Sequence, residues 1–232
     1  MEGVSSVVVA TAAFVGTHFL LSHPLRRPLV GVVGETPFLG IYSLISFVTL
    51  GAMVWAYRTA PATPMLWEID DIGWAIATVI MLAASVLLMG SVLGNPALPT
   101  GGAAVHVPDD VRGVFAVTRH PMMWSLALWG ISHILVFPVA KNIVVCAGVI
   151  ILALVGAAFQ DQKKRRLQPT AWKDWVSKTS YWPFAAILDG RARMASFGAP
   201  ALVGGLVLWL GASWAHTPLS GWAAGVWRWI AI

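Results

Sequence analysis

The chain reads as an all-α protein, a polytopic membrane helix bundle with about six transmembrane helices and an amphipathic helix at the cytoplasmic interface. Three observations predict this class. Of 232 residues, 58% are hydrophobic and 11% charged, with a mean hydropathy of +0.76, whereas soluble domains carry about 25% charged residues. Apolar residues also fall in runs close to the roughly 20 that a helix needs to cross the hydrocarbon layer. Finally, Lys and Arg collect on alternate loops. The composition excludes an ordinary water-soluble domain, a disordered chain and, with one Cys, a disulfide scaffold.

In chain order, the expected spans are Val4–Leu21, Phe38–Tyr57, Ile72–Leu93, Met122–Phe137, Asn142–Phe159 and Phe197–Ala215. The N-terminus has no basic segment or cleavage site before its apolar run, so the first span is expected to be retained. The fourth and fifth spans are short and are joined by Phe137–Lys141, which predicts a tight hairpin. Beyond Pro169, Trp172, Trp175 and Val176 recur at helical spacing with Lys173, Asp174 and Lys178 between them. That pattern predicts a short amphipathic helix lying in the interface, its bland reading being a solvated anchor. The tail Leu219–Ile232, with Trp222, Trp227 and Trp229, suits the interface better than a seventh span. No repeat or low-complexity tract divides residues 1–232, which are expected to form a single domain.

Orientation follows from the cations. Arg26, Arg27, Arg112, Arg119, Lys163, Lys164, Arg165, Arg166, Lys173, Lys178, Arg191 and Arg193 fall on one side; Arg58, Lys141 and Arg228 fall on the other. The first side is expected to be cytoplasmic, with both termini outside, as for a bacterial inner-membrane protein. The basic excess is assigned to anionic headgroups rather than nucleic acid.

Ionisable groups inside a membrane are costly and mark function. None of the six expected spans contains Asp or Glu, which argues against a carboxylate proton relay or a carboxylate-rich di-iron site. Histidines remain. His18 lies in span one with His23 just beyond it, His120 opens span four, His133 lies deep in it, His216 ends span six, and His106 is in a loop. Two intramembrane histidines without carboxylates suit a metal that accepts neutral imidazole, haem iron among them. Zinc would want more ligands than the spans supply. Alternatively, His18 and His133 simply hydrogen-bond to neighbouring backbone or Ser groups. Thr118-Arg119-His120-Pro121 begins a helix with Pro in its first turn. Arg119 and His120 could hold an anionic ligand such as a haem propionate, or could anchor the helix end. No phosphate-binding Gly loop, nucleophile elbow or Ser-His-Asp triad is recognisable.

Three separated segments resemble the NnrU family. They are His18-Phe19-Leu20-Leu21-Ser22-His23-Pro24-Leu25-Arg26 with Gly34-Glu35 and Tyr42-Ser43-Leu44; Thr118-Arg119-His120-Pro121 with Leu128-Trp129 and Ser132-His133; and Thr179-Ser180-Tyr181-Trp182-Pro183-Phe184-Ala185-Ala186-Ile187. The likeness runs to about Gly190, with a weaker echo near His216. It implies a link to nitrite and nitric oxide metabolism. It also implies kinship with the zeta-carotene isomerase of plants and cyanobacteria, which uses haem b to isomerise a central cis double bond. The implied haem ligands are His133 and a span-one histidine, His18, with His23 as the other choice there. Gly130 stands where the plant enzyme has a Cys, so a Cys-gated ligand exchange is not expected; Cys146 lies in the next span. A more distant likeness is to the isoprenylcysteine methyltransferase group, through Arg119-His120-Pro121 and the amphipathic segment that follows.

Three functions therefore compete: haem-dependent cis–trans isomerisation of an apolar, carotenoid-like polyene; a non-enzymatic haem sensor or electron-transfer protein; and a membrane methyltransferase using S-adenosylmethionine. A haem-free structural protein is a fourth possibility.

Overall fold

A computed structural model describes residues 2–92, 94–97, 108, 110–194 and 196–230. His106 and Leu93, named above, lie outside the described residues. Helices α1 (Glu2–Ser22), α2 (Arg26–Val33), α3 (Glu35–Thr59) and α4 (Asp71–Gly90) are followed by α5 (Val114–Val117) and α6 (Pro121–Val136). Then come α7 (Ala140–Leu167), α8 (Pro169–Lys178), α9 (Ala185–Leu188), α10 (Ala199–Ser220) and α11 (Trp227–Ile230). Among the described residues there is no strand. Five helices, α1, α3, α4, α7 and α10, are long and apolar enough to cross a membrane; α6, also apolar, is shorter. The protein is thus an integral membrane helix bundle, with an apolar helix at each of the six expected places.

Local chemistry sets the ends of these helices. Asp70 caps α4 by accepting a hydrogen bond from the Gly73 amide at 2.9 Å. Pro121 occupies the first turn of α6, where the missing N–H costs nothing. Pro138 separates α6 from α7, giving the tight hairpin that the sequence predicts. Gly221 ends α10 with φ +74°, a left-handed conformation natural to glycine.

The main helices pack in the order α3, α1, α7, α6, α4, α10, each against the next. Small residues permit close approach where polar glue is scarce. A Cβ on Gly130 of α6 would meet the Cys146 carbonyl oxygen of α7 at 3.1 Å, and one on Gly205 of α10 would meet Val86 Cα of α4 at 2.7 Å.

Two expectations change. The fifth helix does not stop at Phe159 but runs to Leu167. Hydropathy ends where Gln, Asp, Lys and Arg begin, yet most of these residues are good helix formers, and the helix persists until Pro169. Asp161 is thereby a helical, buried residue rather than part of a loop. The amphipathic helix is present as α8, but Trp172 and Trp175 are fully buried in a cluster with Val114, Phe115 and Val117. Its apolar face therefore meets protein, not lipid. The tail contributes α11, where Arg228 pairs with Asp71 at 3.3 Å and lies over the Trp74 ring.

Candidate functional site

The two ends of α6 carry different polar chemistry. At its start, which faces the Lys- and Arg-rich side, Arg119 Nε lies 3.1 and 3.0 Å from the two carboxylate oxygens of Asp161, and Arg119 Nη2 completes a two-pronged contact. His120 Nε2 hydrogen-bonds to Asp161 Oδ1 at 2.8 Å. All three side chains are nearly inaccessible. The extension of α7 supplies the carboxylate. The backbone is fixed by the Arg119 amide donating to the Ser180 carbonyl at 2.8 Å, and by the Thr118 hydroxyl donating to the Tyr181 carbonyl at 2.7 Å. Trp124 Nε1 also donates to the Tyr181 carbonyl. Thus the Thr-Arg-His-Pro and Thr-Ser-Tyr-Trp segments, far apart in sequence, clasp each other. The Tyr181 phenol is held above its ordinary pKa by burial, with the Asp161 charge adding to the effect.

The space left beside His120, bordered by Asn95, Met123 and Gln160, is about 10 Å³. That is room for about one water, against the roughly 300 Å³ or more of a small-molecule site. Arg119 and His120 are thus engaged by Asp161.

At the other end of α6 lies a cavity of about 440 Å³, within the range of ligand pockets. Its walls come from α4, the α6–α7 hairpin, the end of α10 and the tail, and include Trp74, Met81, Val136, Phe137, Trp209 and Trp222. His133 and His216 both line it, with ring centroids 6.0 Å apart and planes inclined by 34°. Each Nδ1 hydrogen-bonds back to its own helix, His133 to the Trp129 carbonyl and His216 to the Ala212 carbonyl, both at 2.8 Å. A carbonyl accepts only, so each Nδ1 carries a proton, and in the neutral imidazole Nε2 then keeps its lone pair. Asn142 Nδ2 donates to the carbonyls of His133 and Phe137 at 2.9 and 2.7 Å, tying the last turn of α6 to α7.

These groups can hold a metal by imidazole. A metal held by both imidazoles would sit between His133 and His216, whose ring centroids are 6.0 Å apart. Among the described residues no group of three or more His, Cys, Asp or Glu suited to a metal occurs; the imidazoles lining this cavity are those of His133 and His216.

His18 is elsewhere. Its ring packs on Phe14 and Tyr42, and its Nδ1 hydrogen-bonds to the Phe14 carbonyl at 2.7 Å. Helix α1 runs parallel to α7, Val7 packing with Val144 and Val145 and Phe19 with Phe159. Helix α6 runs antiparallel to it, with His133 beside Asn142. His18 therefore sits near the level of Gly156, about 20 Å along α7 from His133. The fold does not bring His18 and His133 together. His23, stacked on Phe159 with its pKa lowered mainly by burial, is no closer. The sequence names His216 among the candidate histidines without pairing it with His133, and gives Lys141 and Asn142 only as a loop cation and the start of a span. The alternation of spans contained the signal for His216: α6 and α10 both run away from the basic loops, so His133 and His216 lie near the same end, whereas α1 runs toward those loops and carries His18 to the other.

The class of protein is thus a polytopic helical membrane protein with a histidine-paired, largely apolar cavity. A family model described as NnrU protein matches residues 6–224, and the chain belongs to the NnrU family. A relative, the chloroplastic 15-cis-zeta-carotene isomerase of Zea mays, is 32% identical over 82 residues, which are 35% of this chain and 22% of the relative. This chain thus matches well under half of that protein's length. No solved structure matches it.

Proposed function

We propose that this protein is a membrane isomerase of cis polyenes that binds haem b between His133 and His216, with its basic end toward the cytoplasm. The observation that carries the reading is the imidazole pair, with ring centroids 6.0 Å apart in a largely apolar cavity and each Nδ1 held by its own helix. The relative's printed activity, on a 15-cis carotene, supplies the reaction class. Bound haem supplies a one-electron centre beside a conjugated chain.

The chain's own residues do the rest. The Trp129 and Ala212 carbonyls fix both tautomers, and Asn142 holds the backbone of His133 in place. Trp74, Phe137, Trp209 and Trp222 offer apolar, aromatic surface to a flat conjugated ligand and exclude water. Isomerisation changes no composition, so the site needs neither a general acid nor a hydrolytic water, and none of the residues lining the cavity is a carboxylate.

The test is an absorption spectrum of the detergent-purified protein, oxidised and then dithionite-reduced. A Soret band with sharp reduced visible bands is expected, lost in His133→Ala and in His216→Ala and retained in His18→Ala. A protein that stays colourless when supplied with haem overturns the haem assignment. A coloured protein that never shifts the isomer ratio of a 15-cis polyene in cells overturns the isomerase assignment alone.

A further inference from the structure

A cation without a carboxylate partner lines the same cavity. Lys141, in the first turn of α7, donates from Nζ to the carbonyls of Tyr57 and Ala60 at 3.1 and 2.8 Å, and the ammonium lies 5.0 Å from the centre of the Tyr57 ring. It thereby caps the end of α3. An ammonium has three N–H donors and no acceptor, so one donor is left after two carbonyls. Among the described residues no carboxylate forms an ion pair with it, whereas Arg228 at the same end is paired with Asp71. Of the described residues bordering the cavity, Lys141 alone carries a permanent charge. A half-buried ammonium in apolar surroundings is costly unless an anion neutralises it, and the positive N-terminal end of α7 adds to the same field.

We propose that Lys141 receives a propionate carboxylate of the porphyrin held by His133 and His216. The inference rests on the haem reading above and adds to it the group that orients the ligand. The cavity then recognises a flat apolar body with an acid at one edge: imidazoles grip its centre, aromatic walls cover its faces, and one charge-assisted hydrogen bond sets which edge points to the α3–α7 side. Arg119, at the other end of α6 and paired with Asp161, does not compete for this role.

The experiment titrates the full-length apoprotein in detergent with haem b and, separately, with haem b dimethyl ester, in which both carboxylates are masked. The readout is the absorbance of the bound form. The wild type is expected to bind the diacid about tenfold more tightly than the ester, as expected for one charge-assisted contact. Lys141→Met should bring the two affinities together without moving the Soret band, because both imidazoles are untouched. Lys141→Arg, which keeps the cation and can still cap α3, should retain the preference. It keeps the proposal testable if the Met variant does not fold, as does the wild-type comparison by itself. Equal binding of acid and ester by the wild type, with bis-histidine bands intact, overturns the role of Lys141 and leaves the haem reading standing. Failure of the wild type to bind either porphyrin overturns both.

Discussion

The opposite ends of α6 place polar groups in apolar surroundings and resolve the cost in opposite ways. At the basic end, Arg119, His120 and Asp161 satisfy one another, are almost wholly inaccessible, and leave space for little more than a water. At the other end, His133 and His216 use one ring nitrogen each on their own helices and line a cavity of about 440 Å³. A closed cluster of paired charges ties α6 to α7; the histidine pair is left beside open space. The Arg119-His120-Pro121 segment is thus tied to Asp161 of the neighbouring helix, whereas His133 and His216 border the cavity.

The strongest attack on this contrast removes the carboxylate. Asp161→Ala leaves Arg119 and the buried His120 without their partner and should cost about 3–5 kcal/mol, the usual penalty for breaking a buried pair. Thermal or denaturant unfolding in detergent reads it, and a variant as stable as the wild type would show the cluster to be dispensable. Next comes the contact between the two ends. Gly130→Val pushes side-chain atoms into the Cys146 carbonyl and Ile150, and should cost roughly 1–3 kcal/mol by overpacking, visible in the same melt. His133→Ala sharpens the comparison from the other side: the residue faces a cavity, so stability should fall by only about 1 kcal/mol or less while haem binding is lost. A large loss of stability there would make His133 structural. The smallest effect is expected for Arg228→Gln. Its partner Asp71 is largely exposed, and such surface pairs contribute about 0–1 kcal/mol.

How much of this was legible in the sequence differs between the two ends. The apolar runs and Pro121, Pro138 and Pro169 located six helices and the hairpin. The Thr118–Pro121 and Thr179–Ile187 segments stood out as motifs, but nothing along the chain said that they clasp each other through the Ser180 and Tyr181 carbonyls. Asp161 was hidden because it follows the hydropathic run and looked like the start of a loop. His133 stands out in the sequence, but its neighbour in space does not: His18 lies within span one and His216 at the end of span six, and only helix packing decides which ring meets His133.

The sequence by itself determined the membrane class, the places of the six apolar helices along the chain, and the scarcity of carboxylates within them. Those follow from periodicity, length and the cost of charge in hydrocarbon, which are properties of contiguous residues. Only the tertiary structure decided which histidines meet and which cation faces them. Helix order α3, α1, α7, α6, α4, α10 is not chain order, and neighbours across helices are fixed by the close approaches at small residues such as Gly130 and Gly205, where packing depends on both partners at once.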